Sequence, residues 1–117
     1  MTSEEKYNDQ ITEIFSNIKD CLSSKDNTSI EEGLRLLCGM MSRGYNLSDF
    51  SPLIARHLIN DVDENEILAQ MLFAQLGTSD VDTLLAAVNT LNIGIGSPNE
   101  VKRARAVKTL TTIASRA

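Results

Sequence analysis

Six stretches of this chain carry apolar residues at every third or fourth position, and each is bounded by residues that start or stop helices. That pattern constrains the fold more than any other feature. The first stretch, 3–23, aligns Ile11, Ile14, Phe15, Ile18, Cys21 and Leu22, and Thr2 with Glu5 forms a capping box ahead of it. The second, 29–43, aligns Ile30, Leu34, Leu37, Cys38 and Met41, opens at Thr28 or Ser29 and stops at Gly44. The third, 48–60, aligns Phe50, Leu53, Ile54, His57 and Leu58, with Pro52 in its first turn, where a missing N–H does little harm.

The fourth stretch, 63–76, follows an Asp63 to Glu66 cap with Ile67, Leu68, Met71, Leu72, Gln75 and Leu76, and ends at Gly77. The fifth, 80–93, takes Ser79 as its N-cap, aligns Val81, Leu84, Leu85, Val88 and Leu91, and is broken by Gly94 and Gly96. The sixth opens with Ser97 as N-cap, Pro98 at the first helical position and Glu100 in the first turn, then aligns Val101, Ala104, Val107, Leu110 and Ile113 with its bases on the other faces. No stretch alternates with period two, so no sheet is expected.

The fold class predicted is all-α. Residues 1–117 form a single α-helical domain, because a chain of 117 residues builds one core and not two. Six helices taken in pairs of roughly 35 residues have the period of an α-solenoid, three antiparallel hairpins in a right-handed stack, although an irregular bundle gives a similar pattern.

Composition narrows the function. Aromatic residues are only 4% of the chain, and a net charge of −5 opposes nucleic-acid binding, which depends on neutralising phosphates. No apolar run approaches the roughly 20 residues that span a bilayer, and the N-terminus lacks the apolar core of a signal peptide, so a cytoplasmic location is expected. Cys21 and Cys38 lack CxxC spacing and read as buried free thiols.

Charge is nevertheless segregated. Residues 61–100 hold seven acids and no base, whereas 101–117 hold five bases, Lys102, Arg103, Arg105, Lys108 and Arg116, and no acid.

Arrangements that would carry chemistry are missing from the sequence. His57 is the single histidine and reads as a boundary residue with a satisfied ring nitrogen. A Ca²⁺ loop counted from Asp61 would need Gly and Glu at its sixth and twelfth positions, which are Glu66 and Leu72. A capped, solvated helix start accounts for Asp61, Asp63, Glu64 and Glu66 instead. Gly94-Ile95-Gly96 follows no strand and reads as a turn. Neither an enzyme nor a cofactor or metal site is expected.

In the fifth and sixth stretches, Ala86-Ala87-Val88-Asn89-Thr90-Leu91 and Ser97-Pro98-Asn99-Glu100-Val101-Lys102-Arg103-Ala104-Arg105-Ala106-Val107 resemble the start of the large β-type adaptin subunits of clathrin-adaptor complexes. That family reads approximately AVNT, an acidic spacer, D-P-N-P, two apolar residues and R-A. Gly44-Tyr45-Asn46-Leu47-Ser48-Asp49-Phe50-Ser51-Pro52 is similar to a further family stretch, so the likeness covers nearly the whole chain.

The resemblance implies a HEAT/armadillo-like solenoid acting as a protein-binding scaffold in vesicle-coat assembly and intracellular protein transport. It is non-enzymatic and peripheral on vesicle, Golgi or endosomal membranes only through a complex. Implied partners are other adaptor subunits and an Arf-type small GTPase, which in the family meets the region of Leu85 and Val88. From their charge alone, Lys102, Arg103, Arg105 and Lys108 read either as a solvated outer face or as candidate contacts for an acidic partner or membrane lipid.

Three departures stand out. Glu100 replaces the second Pro of the family signature, Lys102 and Arg105 replace apolar positions, and the acidic 61–66 segment stands where the family has a Lys-Lys-Leu-Val-Tyr pattern. Together these departures argue against a phosphoinositide-binding role. Because family trunks are several times longer, the chain reads as a fragment of a longer solenoid or as a reduced relative, and a fragment would leave an apolar face of helix six open to self-association. The alternative reading is a freestanding helical-repeat interaction module unrelated to coats.

Overall fold

The computed structural model describes residues 3–116. Within them the chain is all-α, with no strand, in the order α1 (Ser3–Ser23), α2 (Asn27–Ser42), a 3₁₀ turn (Ser48–Phe50) leading into α3 (Ser51–Ala55), α4 (Asp63–Leu76), α5 (Val81–Ile95) and α6 (Glu100–Arg116). Thr2, half of the expected capping box, lies outside the described residues.

Each helix packs on its sequence neighbour, α1 on α2, α3 on α4 and α5 on α6. Further contacts run from α1 to α3 to α5 and from α2 to α4 to α6, giving two layers compatible with a helical solenoid. The result is elongated, 55 × 31 × 23 Å.

Large apolar side chains concentrate in the first two thirds of the chain. Ile18, Leu22, Leu34, Leu37, Phe50 and Phe73 are among those fully enclosed, and the Phe15 ring meets Phe50 edge-on at 5.3 Å. Between α5 and α6 the buried apolar residues shrink to Ala87, Leu91 and Ala106. Small residues let these two helices approach closely. A Cβ added at Gly94 would lie 2.7 Å from Ile59 Cδ1 and 3.0 Å from the Ala106 Cβ, so this glycine lies within α5 as a contact surface and does not break it.

Several expected boundaries shift for local reasons. α2 starts at Asn27 because Asp26 caps it, accepting from the Ser29 N–H at 3.3 Å. Asp80, and not Ser79, caps α5, accepting from the N–H of Thr83 at 3.3 Å and from its hydroxyl at 2.5 Å. Asn99, and not Ser97, caps α6, accepting from the N–H groups of Val101 (2.9 Å) and Lys102 (3.2 Å). Gly44 does stop the second helical stretch, with a φ of +84°.

The third helix is the largest departure. Helical geometry ends at Ala55, and the chain continues through i to i+3 turns as far as Leu58. Burial of consecutive residues drives this, since His57 and Leu58 are both enclosed. The His57 Nε2–H donates to the Leu22 carbonyl at 2.8 Å, and the Leu58 carbonyl accepts from Gln70 Nε2 at 2.8 Å.

Three apolar stripes are rotated from their expected faces; on α5, Val81 and Leu85 are exposed while Thr83 and Ala87 are buried. On α4, Ile67 and Met71 face solvent while Ala69, Leu72 and Phe73 are buried beside Asn65, Glu66 and Gln70. On α6, Val101 and Val107 are exposed and Ala106 and Thr109 are buried.

Candidate protein-binding surface

The charges of α4 and α6 meet inside the molecule. Glu66, on the first turn of α4, has a side chain only 1% exposed, and an Arg105 Nη1–H donates to its Oε2. Its Oε1 accepts from the Asn60 N–H at 3.1 Å, and Lys102 Nζ lies 3.4 Å away. Lys102 also donates to the Asn60 carbonyl at 3.1 Å. Asp63 Oδ1 adds a second carboxylate, 3.6 Å from Lys102 and 3.8 Å from Arg105. The Asn60 side chain shapes the entry to α4 by accepting from the Val62 N–H at 2.9 Å.

The capped, solvated start expected for this segment is therefore corrected at Glu66, which is a buried anion compensated by two cations and a backbone donor. Without such partners its burial would cost several kcal/mol. Four residues on, Gln70 Oε1 accepts from the Thr109 hydroxyl at 2.5 Å, so a polar seam joins α4 to α6.

The seam consumes two of the candidate contacts. Lys102 and Arg105 lie three residues apart on the inward face of α6 and converge on Glu66. Arg103 turns back to donate to the Ser97 carbonyl at 2.8 Å. Lys108 is exposed, Leu85 points outward at 55% exposure, and Val88 is half-buried.

A signal for the seam was present in the sequence. Lys102, Arg105 and the acidic start of α4 are all departures from the adaptin pattern, and the structure pairs them with each other.

The remaining chemistry is quiet. Burial pushes the thiols of Cys21 and Cys38 up, with Glu32 and Asp20 adding to the rise at Cys21 and Arg35 opposing it at Cys38. Both are free and partly buried, less enclosed than the sequence suggested. The Thr83 hydroxyl holds the Asp80 carboxyl below its usual range. Among the described residues no cluster of His, Cys, Asp and Glu is placed to hold a metal, and no helix is long and apolar enough to cross a membrane.

No protein-family profile matches the chain. It is 25% identical over 112 residues to the AP-3 complex subunit beta-2 of Mus musculus, covering 96% of this chain and 10% of that one. The AP-3 complex subunit beta-1 of Homo sapiens is 22% identical over 96 residues, and the AP-3 complex subunit beta of Dictyostelium discoideum 26% over 96, each covering 82% of this chain and 9% of the relative.

The chain is thus similar, at 22–26% identity, to the β subunits of AP-3 complexes. It spans about a tenth of the length of the curated relatives it matches. The likeness runs along nearly the whole sequence, α1 to α6, and is not confined to the Pro98-Asn99 signature.

Proposed function

We propose that residues 1–117 act as one helical-repeat domain, a protein-binding scaffold without chemistry of its own, serving in adaptor-type vesicle-coat assembly. Its helices pair as three antiparallel hairpins in a right-handed stack. The observation that carries this reading is the alignment of 96% of the chain with an AP-3 β subunit. The two-layer helical packing supports it.

The partners are other adaptor-complex subunits, engaged through helical faces, and an Arf-type small GTPase, engaged at Leu85 and Val88 on α5. The chain works in the cytoplasm and reaches vesicle, Golgi or endosomal membranes only as part of a complex. Of the four basic candidates, Lys108 is the one that offers a free charge to a partner; Arg103 helps from the α6 turn, while Lys102 and Arg105 act indirectly by fixing α6 on α4. Apolar side chains on the outer faces of α5 and α6, Leu85, Ile93, Val101 and Val107, support self-association in isolation.

Affinity purification of the tagged chain from cells tests the reading. Other adaptor subunits should co-purify, and Leu85→Asp should weaken recovery of a GTPase loaded with a non-hydrolysable nucleotide. Recovery of no adaptor subunit would overturn the coat assignment.

A further inference from the structure

A groove of about 420 Å³ runs between α4 and α6 on the face away from α5. Ile67, Met71 and Ala74 form its α4 wall at i, i+4 and i+7, the spacing of a single helix face. Ile67 and Met71 are 43% and 38% exposed, although α4 supplies much of the core. Lys108, Thr112 and Arg116 form the α6 wall at i, i+4 and i+8, and the Gln70–Thr109 hydrogen bond closes the floor.

The two outer cations of this wall lack carboxylate partners among the described residues. Lys108 has no ion pair, and Arg116 Nη1 donates to the Ala74 and Gln75 carbonyls, the latter at 2.8 Å. Those carbonyls hold the guanidinium over the end of α4 without neutralising it. The acids of α4, Asp63, Glu64 and Glu66, all lie at the opposite end of the helix and are engaged with Arg35, Lys102 and Arg105. A molecule of net charge −5 thus presents one apolar groove whose rim is positive.

We propose that this groove docks an acidic amphipathic helix of a partner protein, which lays aliphatic side chains on Ile67, Met71 and Ala74 and sets carboxylates against Lys108 and Arg116. Eight residues of α6 separate the two cations, about 12 Å at 1.5 Å per residue, so carboxylates seven or eight positions apart on a helix lying along the groove match both. An apolar helical face seated in a groove between helices is a recurrent recognition mode, and the unbranched Met71 adapts to what it meets.

A second copy of the chain fits poorly. Among the described residues only its α1 carries exposed acids seven or eight positions apart, Glu13 and Asp20 among them, and no aliphatic residue of α1 is exposed; Glu32 on α2 and Asp82 on α5 lie near the exposed Leu36 and Leu85 but have no second acid at that spacing. An anionic membrane fits poorly too, because the net charge of the molecule is −5. The proposal rests on the chain being a protein-binding unit and is independent of coat membership.

The test is fluorescence anisotropy of a labelled helical peptide, about five turns long, with Leu at i, i+4 and i+7 and Glu seven residues apart, titrated with the full chain. Saturable binding that weakens with salt is expected. Amide resonances should shift at Ile67, Met71, Lys108 and Thr112. Lys108→Glu and Met71→Lys, both surface changes, should each cut affinity about tenfold or more, while Val101→Glu on the outer face of α6 leaves it within about twofold.

The proposal is overturned by no saturation at millimolar concentration, by equal binding of a peptide with its Leu residues changed to Ser, or by shifts confined to another surface. Sedimentation showing a dimer through the groove, or vesicle binding lost in Lys108→Glu but not in Met71→Lys, would also overturn it. Peptide binding without co-purifying adaptor subunits would remove the coat reading alone. Co-purification without peptide binding would remove the groove alone.

Discussion

Arg105 is the residue whose loss should be felt most out of proportion to its exposure. Arg105→Met strands a Glu66 carboxylate that is 1% exposed, with Lys102 at 3.4 Å and the Asn60 N–H at 3.1 Å as its remaining partners. Urea denaturation should show a loss of about 3 kcal/mol, because removing one partner leaves a buried charge. Arg103→Met, which gives up one bond to a turn carbonyl, should cost less than about 1 kcal/mol. Similar losses for both would mean that the seam contributes nothing. The sequence showed Glu66, Lys102 and Arg105 as charges on amphipathic helices, where charges ordinarily face water, and so placed them outside. What it could not show is that α4 and α6 face each other through a polar strip, since that depends on the roll of each helix about its axis. The thiols give a second residue-scale prediction. With burial raising both above the ordinary thiol range, and stability of the charged form reduced accordingly, Cys21 and Cys38 should alkylate with iodoacetamide more slowly than an unstructured cysteine peptide at neutral pH. Equal rates would contradict the partial enclosure.

At the scale of elements, the helices were legible and their faces less so. Caps and stops are local, so α1 and α4 run as expected, and the errors at α2, α5 and α6 are shifts to a neighbouring Asp or Asn. α3 failed because a capped apolar stripe cannot reveal that His57 and Leu58 satisfy their polar groups outside a helix. Gly94 was misread for the same reason, as the need for a bare Cα comes from α6 and Ile59. Gly94→Ala should therefore destabilise by about 1–3 kcal/mol through overpacking, despite the better helix propensity of Ala. Gly39→Ala is the control. A Cβ there meets nothing within 4 Å on α2, and stability should rise by about 0.5–1 kcal/mol. If Gly94→Ala were also stabilising, the close approach of α5 to α6 would be wrong. The α5 cap adds a pH signature. Its Asp80 carboxyl is held low by Thr83, so its contribution is present above the ordinary carboxylate value and is lost as pH falls through the lowered one. Thermal melts taken between about pH 4 and pH 2 should fall less steeply for Asp80→Asn than for the unaltered chain.

At the scale of the whole molecule, shape and core distribution decide where the chain opens first. The radius of gyration is 15.0 Å, against about 13 Å for a compact domain of this length. Elongation leaves the ends with neighbours on one side only. α4 is in the middle, touched by α2, α3 and α6, and it carries the enclosed Ala69, Leu72 and Phe73 together with Glu66 and Gln70 of the seam. α1 has a different character, for residues 5–10 are all exposed and its only fully buried apolar side chains are Ile18 and Leu22. α6 buries only Ala106 and Thr109. In a stack whose stability is a sum of neighbour contacts, local opening should follow this gradient. Amide hydrogen exchange is therefore expected to be slowest in the middle of α4 and fastest in the first two turns of α1. The last turns of α6 should fall between, because Arg116 ties them to the end of α4. Arg105→Met should raise exchange along α6 more than along α2, since the seam is what couples α6 to the centre. Uniform protection across all the helices, or equal acceleration of α2 and α6 in that variant, would show that the chain opens as one cooperative unit and that the polar seam does not hold its last helix in place.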